Sequence, residues 1–414
     1  MIKAKLDRKN RNIILLVSCW MVYIITNFAK SNYSATVAYI VQQSIFTKSQ
    51  TGAIASAFYI FFGIGQFIGG SIVDKISPYK MIKVGIVSAF IANIILCFTM
   101  NYTVILIVWS INGFMHLGIW PGITKIVADY LSPYYKPIAT QHLSYGHALG
   151  SLMSYICSAL LINKFGWVGM FGTSSMLLAG ALIFWLLTER LVPMNSILSC
   201  RQNVQKKRNE ETTMSAKKKY SVMLSSGLVL ALLPTLCLAM LNNGAQLWIP
   251  TLMMESYTTS LVFANLQTVL LLLVSIIGGL VFGPLLNRIK NEMLGHFILT
   301  TLIVVPFLVL QFIGVIPIWL ALMMFTITIM VMTLGNVFKV RISTRFHKYR
   351  CSGTVSGLLH TMTSFGVVLS GYGYGFLAEN FGWSAVTFSW IVLIVITLFS
   401  LALSAVFWGK FMKK

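Results

Sequence analysis

Lys30 stands inside a run of apolar residues, and its sequence neighbours give the first sign of chemistry. Tyr23 and Asn27 precede it and Ser34 follows, at spacings of four, three and four, which puts all four on one helical face. An ammonium within a hydrophobic segment is costly and marks a functional site by default. The chemistry it offers is neutralisation of an anion. The structural alternative is that Lys30 snorkels to an interface. His147 lies in a second stripe, with Ser144, Ser151, Ser154 and Ser158 at spacings of three and four. The serines suit helix packing, whereas an imidazole offers both a donor and an acceptor. Gln66 shares a face with Tyr59, Gly63 and Gly70. Asn242, Asn243 and Gln246 precede Trp248 and Pro250, and two further polar sets are Asn112, His116, Trp120 and His360, Thr363, Tyr374. Neutral hydrogen-bonding groups around one fixed cation suit a small anion or a polar organic acid. The nine acids fall in loops or at segment ends, so no deep carboxylate is available to relay protons or hold a cationic solute.

The elements that position these residues must be membrane helices. Of 414 residues 57% are hydrophobic and only 10% charged, with a mean hydropathy of +0.81, against about 25% charged in a soluble domain. Apolar blocks long enough to span recur along the chain, and only helices satisfy the backbone of such blocks in lipid. Twelve spans are expected: 12–40, 50–73, 81–100, 103–128, 138–162, 168–188, 223–254, 262–286, 295–316, 318–339, 354–378 and 386–409. The fold class is therefore an all-α membrane protein. The net charge of +22 does not require a nucleic-acid partner: 28 of 31 Lys and Arg residues fall on one side of that topology, including five assigned to the loop from Lys339 onward. Basic residues mark the cytoplasmic side. This predicts a multi-pass protein of the plasma or inner membrane with both termini cytoplasmic. The first block leads straight into further spans and reads as a span, not a removed signal peptide. The six cysteines form no CxxC pair and read as small apolar residues, with no disulfide frame or metal site. The glycosylation patterns at Asn32 and Asn101 lie in or against spans and read as accidental.

The one long hydrophilic stretch divides the spans six and six. It gives an N-terminal half over 1–189, a basic cytoplasmic linker over 190–221 and a C-terminal half over 222–414. The halves repeat. Phe165-Gly-Trp167 recurs as Phe381-Gly-Trp383, and at the same offset of 216 Gly150 meets Gly366 and Lys125 meets Arg341. Gly70-Ser-Ile-Val-Asp74-Lys75 recurs as Gly283-Pro-Leu-Leu-Asn-Arg288. Two six-helix halves repeated in parallel describe a secondary transporter with its substrate site between them. The Gly70, Asp74, Lys75 pattern, with Lys80 behind it, resembles the loop signature of the major facilitator superfamily. The resemblance implies that fold, with pseudo-two-fold symmetry, and a gating role for Gly70, Asp74, Lys75 and Arg288.

A closer resemblance lies in Trp109-x2-Asn112-Gly113, Gly118-x-Trp120-Pro121-x3-Lys125 and His147-x2-Gly150. These resemble the organophosphate:phosphate antiporters, the glycerol-3-phosphate antiporters in particular. Asn32-Tyr33 and Tyr39 sit where that family has Asn-Phe and Tyr, and Tyr23 where it has a tyrosine of the pocket. In that family arginines from spans one and seven grip phosphate, with a span-two lysine and a span-five histidine nearby. Carried over by position, these become Lys30, Asn242, Gln66 and His147, with Asn242 aligned through Trp248 and Pro250. A lysine is a point charge where arginine is a planar fork. The substitutions therefore imply the family's architecture with a changed substrate, such as a carboxylate or a less charged phosphate ester.

The expected function is transport of a small organic anion by alternating access. Lys30 neutralises the anion, His147, Gln66, Asn242, Gln246 and Asn27 hydrogen-bond around it, and Tyr23 and Trp120 shape the pocket. Two alternatives stay open: transport of neutral or amphipathic solutes, and a membrane sensor of the same family. No nucleophile–base set, metal cluster or phosphate loop is visible, so an enzyme is not expected, nor a cofactor. The expected partners are the anionic solute and the lipid bilayer, with no nucleic acid, and the expected state is a monomer.

Overall fold

The computed structural model describes residues 7–72, 76–193, 222–224, 226–346 and 352–412. Its elements are helices: α1 (Arg8–Gln42), α2 (Lys48–Ile72), α3 (Pro78–Cys97), α4 (Tyr102–Met115), a 3-10 turn (His116–Gly118), α5 (Ile119–Tyr130), α6 (Tyr135–Leu191), α7 (Leu228–Tyr257), α8 (Leu261–Asn287), α9 (Glu292–Thr301), α10 (Val304–Leu310), α11 (Ile318–Met332), α12 (Leu334–Arg345), α13 (Ser352–Asn380) and α14 (Trp383–Met412). Among the described residues eight helices are long and apolar enough to cross a membrane. One of them, Gly146–Leu191, covers two expected spans. The other three expected spans are helical as well. They are α2, α11 with α12, and α13, which carry more Gly, Ser and Thr or break at Thr333. Among the described residues each expected span thus falls largely on helix, the one over 295–316 ending in the turns of 311–316.

Contacts group the chain into two compact units, Met1–Tyr33 with Phe61–Thr213 and Ser34–Ile60 with Met214–Lys414. In the first, Leu15, Cys19 and Val22 of α1 pack with Ile82 and Ile86 of α3, Ile123 and Ile126 of α5, and Leu178 and Trp185 of α6. Cys19 behaves as the small apolar residue its sequence context suggests. In the second, Leu228 and Ala231 of α7 pack with Met293, Phe338, Ile342, Leu359, Leu401 and Trp408.

The 57-residue α6 is two helices joined at Gly166, whose φ of 56° lies in the left-handed region. Its first part runs parallel to α1: a Cβ on Gly146 would meet Tyr23, and Ser151 hydrogen-bonds Ser31. Its second part runs antiparallel: Asn32 hydrogen-bonds Ser174, and Ser18 hydrogen-bonds Thr188. The chain therefore reverses at Gly166. The second unit repeats this. α13 runs parallel to α7, through Gly366 at Leu236 and Trp248 at the Gly371 carbonyl. α14 runs antiparallel, through Trp383 at Glu255 and Ser404 at the Gly227 carbonyl. The reversal there is Gly382, at φ 77°. The repeated Phe-Gly-Trp thus marks the same turn twice.

Gly150 and Gly366 mark the same crossing twice. A Cβ on Gly150 would lie 2.5 Å from the Ile24 carbonyl oxygen and 2.9 Å from the Phe28 nitrogen, and one on Gly366 would lie 2.5 Å from the Leu236 carbonyl oxygen and 3.1 Å from the Met240 nitrogen. Ile24 and Phe28 thereby correspond to Leu236 and Met240, an offset of 212.

Both glycosylation patterns have structural uses. Asn32 is fully buried and donates to Asn93 and Ser174. Asn101 caps α4, its Oδ1 accepting from the Thr103 and Val104 amides. Glu292, at the start of α9, is only 1% exposed. Its Oε1 accepts from Arg345 at 2.7 Å with Arg341 at 3.7 Å, and its Oε2 accepts from Trp408 at 2.8 Å.

Gly150→Ala drives a methyl group into backbone and is expected to lower stability by about 1–3 kcal/mol. Gly172→Ala has open space around its Cβ and is expected to stay within about 0.5 kcal/mol. Thermal unfolding of the purified proteins in detergent checks both.

Candidate functional site

The glycine crossing sets the rotation of α1, and with it the face that carries the candidate residues. Gly150 abuts α1 at Ile24, Asn27 and Phe28. One turn earlier a Cβ on Gly146 would lie 2.9 Å from Cδ1 of Tyr23. Asn27 is buried. Its amide donates to the Tyr23 carbonyl at 2.8 Å, and its Oδ1 lies 2.8 Å from Nδ1 of His147. His147 itself is exposed. The Tyr23 ring meets Trp120 with centroids 5.1 Å apart, and Trp120 is 41% exposed.

Lys30 lies one turn beyond Asn27 and is half-buried. α1 continues twelve residues past it to Gln42, about 18 Å at 1.5 Å per residue. Lys30 is thus well inside its helix. Its Nζ sits 5.3 Å from the ring centroid of Phe62, a cation–π placement. Its charge also acts on the His116 ring. No carboxylate pairs with it among the described residues. Gln66, one turn along α2 from Phe62, donates to the His116 carbonyl at 3.1 Å. Asn112 is buried, and neither of its amide atoms has a hydrogen-bond partner among the described residues.

Contacts within the first unit therefore link Tyr23, Asn27, Lys30, Gln66, Trp120 and His147. The serine stripe divides as its chemistry suggests: Ser151 bonds Ser31 at 2.8 Å, while Ser154 and Ser158 are fully buried. Asn242 and Gln246 belong to the second unit, where the Gln246 amide lies 3.4 Å from the Asn242 Oδ1. The offset of 212 fixed by the glycine crossings makes Asn242 the repeat counterpart of Lys30. Gly70 falls in α2, Arg288 is exposed just after α8, and Asp74 and Lys75 lie outside the described residues.

Two residues escaped the sequence reading. Phe62 is four residues before Gln66, and that spacing was the available signal. Lys339 closes the expected span 318–339 and counts there with the cytoplasmic loop. It lies instead within α12 and is 7% exposed, its Nζ donating to Thr363 Oγ1 at 3.2 Å. The span was ended at its first charge, and the charge proves to be inside.

The chain matches the Major Facilitator Superfamily over residues 19–371. A probable hexose phosphate transport protein of Chlamydia muridarum is 22% identical over 406 residues, covering 92% of this chain and 88% of that protein. The membrane sensor protein UhpC of Salmonella typhimurium is 22% identical over 178 residues, 42% of this chain and 40% of that protein. A solved structure of a bacterial homolog of the human lysosomal transporter Spinster, inward-facing and unoccupied, aligns with a TM-score of 0.73 at 13% identity over 98% of each chain.

The bond between Asn27 and His147 is expected to show a coupling of about 1 kcal/mol in a double-mutant cycle of Asn27→Ala and His147→Ala. Unfolding midpoints of the four proteins in detergent give the value.

Proposed function

The chain belongs to the Major Facilitator Superfamily, and on that premise we propose that it is a secondary transporter carrying a small organic anion by alternating access. The observation that carries the anion is Lys30, an ammonium well inside a membrane helix with no carboxylate partner among the described residues. Phe62 flanks it, and Asn27, Gln66 and the imidazoles of His116 and His147 supply hydrogen-bonding groups around that stretch of α1. An ammonium in such surroundings gains most from an anion that enters, is neutralised and leaves.

The solute class is a carboxylate or a phosphorylated metabolite. The relatives named for hexose phosphate support a phosphate ester. The presence of lysine at 30, glutamine at 66 and asparagine at 242 favours a lower charge than a dianion gripped by two arginines. The working halves are 1–189 and 222–414, joined by the linker 190–221, and the protein acts as a monomer. The protein sits in the plasma or inner membrane with both ends cytoplasmic, a reading that the basic loops support.

The likeness to a membrane sensor supports a second reading, in which the anion is bound and reported, not carried. Proteoliposomes separate the two. Uptake or counterflow of sugar phosphates, phosphonates and carboxylates is measured for the unaltered protein, Lys30→Gln and Lys30→Arg. Lys30→Gln is expected to cut anion flux at least about tenfold, and Lys30→Arg to retain part of it. Undiminished flux in Lys30→Gln overturns the role of Lys30. Anion binding without flux in the unaltered protein selects the sensor.

A further inference from the structure

The second unit contains three acids, and each is engaged elsewhere. Glu255 pairs with Lys48 at 2.7 Å and accepts from Trp383 at 2.8 Å. Glu379 accepts from the Ser49 amide at 2.7 Å. Glu292 is held by Arg345, Arg341 and Trp408. Lys339, among the most buried cations of this unit, is therefore left with a hydroxyl as its hydrogen-bond partner. At 7% exposure its ammonium has not snorkelled to water.

The hydroxyl orients the lysine and leaves it unneutralised. Thr363 Oγ1 accepts from Lys339 at 3.2 Å and donates its own proton to the Leu359 carbonyl at 2.9 Å. Two of the three N–H donors of an ammonium then remain for another group. His360 lies one turn before Thr363, feels the charge of Lys339, and is exposed, so the cluster has an accessible member.

The internal repeat gives this cluster its meaning. With Gly150 matched to Gly366, the counterpart of His147 is Thr363, at the same offset of 216. In the first unit the position holds an imidazole bonded to Asn27. In the second it holds the hydroxyl that aims Lys339. The counterpart of Lys30, Asn242, carries no charge. The second unit has therefore kept a cation at this crossing but supplies it from α12.

We propose that Lys339, aimed by Thr363 and accompanied by His360, is an oxyanion-binding subsite of the second unit that takes a phosphate or carboxylate group of the carried solute. This rests on the anion-transport reading above and names a cationic contact that the second unit offers by itself. A phosphate could come from the solute or from a lipid headgroup, and the two are separable.

The test uses the full chain, purified in a phosphate-free non-ionic detergent, with inorganic phosphate and acetate as probes in calorimetric titrations. The variants are Lys339→Gln, Lys339→Arg, Thr363→Val and Lys30→Gln, each first shown to be monodisperse. Lys339→Gln is expected to weaken phosphate binding at least about tenfold, Lys339→Arg to stay within about threefold, and Thr363→Val to lose a few-fold. Rescue by arginine separates a charge that binds the anion from a side chain that merely fills space. Unchanged affinity in Lys339→Gln, with affinity lost in Lys30→Gln, overturns this subsite and leaves the transport reading standing. Absence of binding of either probe to the unaltered protein overturns both. Phosphate binding that persists in the presence of phosphatidylglycerol supports a solute site. Competitive loss assigns Lys339 to a lipid headgroup and overturns the solute site.

Discussion

Backbone touching backbone at Gly150 and Gly366 is the constraint on which the rest of each unit depends. A helix pair that close admits no Cβ between its members, and in a bilayer such close approach replaces the hydrophobic drive that lipid cannot supply. The approach fixes the rotation of α1 against α6 and of α7 against α13. Once the rotation is fixed, residues one turn on have no freedom over what they face. Asn27 meets His147, and Lys30 comes to Phe62, whose ring faces His116. The repeat is thus a common frame with separable contents: the place of Lys30 is taken by Asn242 in the second copy.

The charges follow from dielectric cost. An ion removed from water must be paired or must await a partner. The acids of the second unit illustrate the first condition: Glu292 is almost wholly enclosed yet has arginine and indole donors on both oxygens. Lys30 and Lys339 illustrate the second. Where an exporter of cations would station a carboxylate, this chain stations ammonium groups, and the three carboxylates of the second unit are committed to structure.

Much of this is legible in the sequence. Helical spacing of three and four found the face that holds Tyr23, Asn27 and Lys30, because a helix leaves no other geometry for those intervals. The Phe-Gly-Trp and glycine repeats found the two equivalent turns and crossings, because each requires a residue without a side chain. Lys339 could not be found that way. Span ends are drawn where charge begins, and a helix that carries its first lysine inward violates the assumption behind the boundary. Phe62 escaped for a related reason: an aromatic ring in an apolar helix looks like core until a cation is seen above it. Nor could the spacing show that Asn101 is occupied as a helix cap, since that depends on which amides are left open at the start of α4.

The single-glycine reversals at Gly166 and Gly382 bear on how the protein is made. A connection of that kind leaves almost no polar segment to carry through lipid. Lys164 is the one charge beside the first reversal, and Glu379 the one beside the second. Each last pair of helices can therefore enter the bilayer together, as one wedge with a nearly neutral tip. Lengthening either tip with charged residues would burden the act of insertion even if the finished fold had room for them.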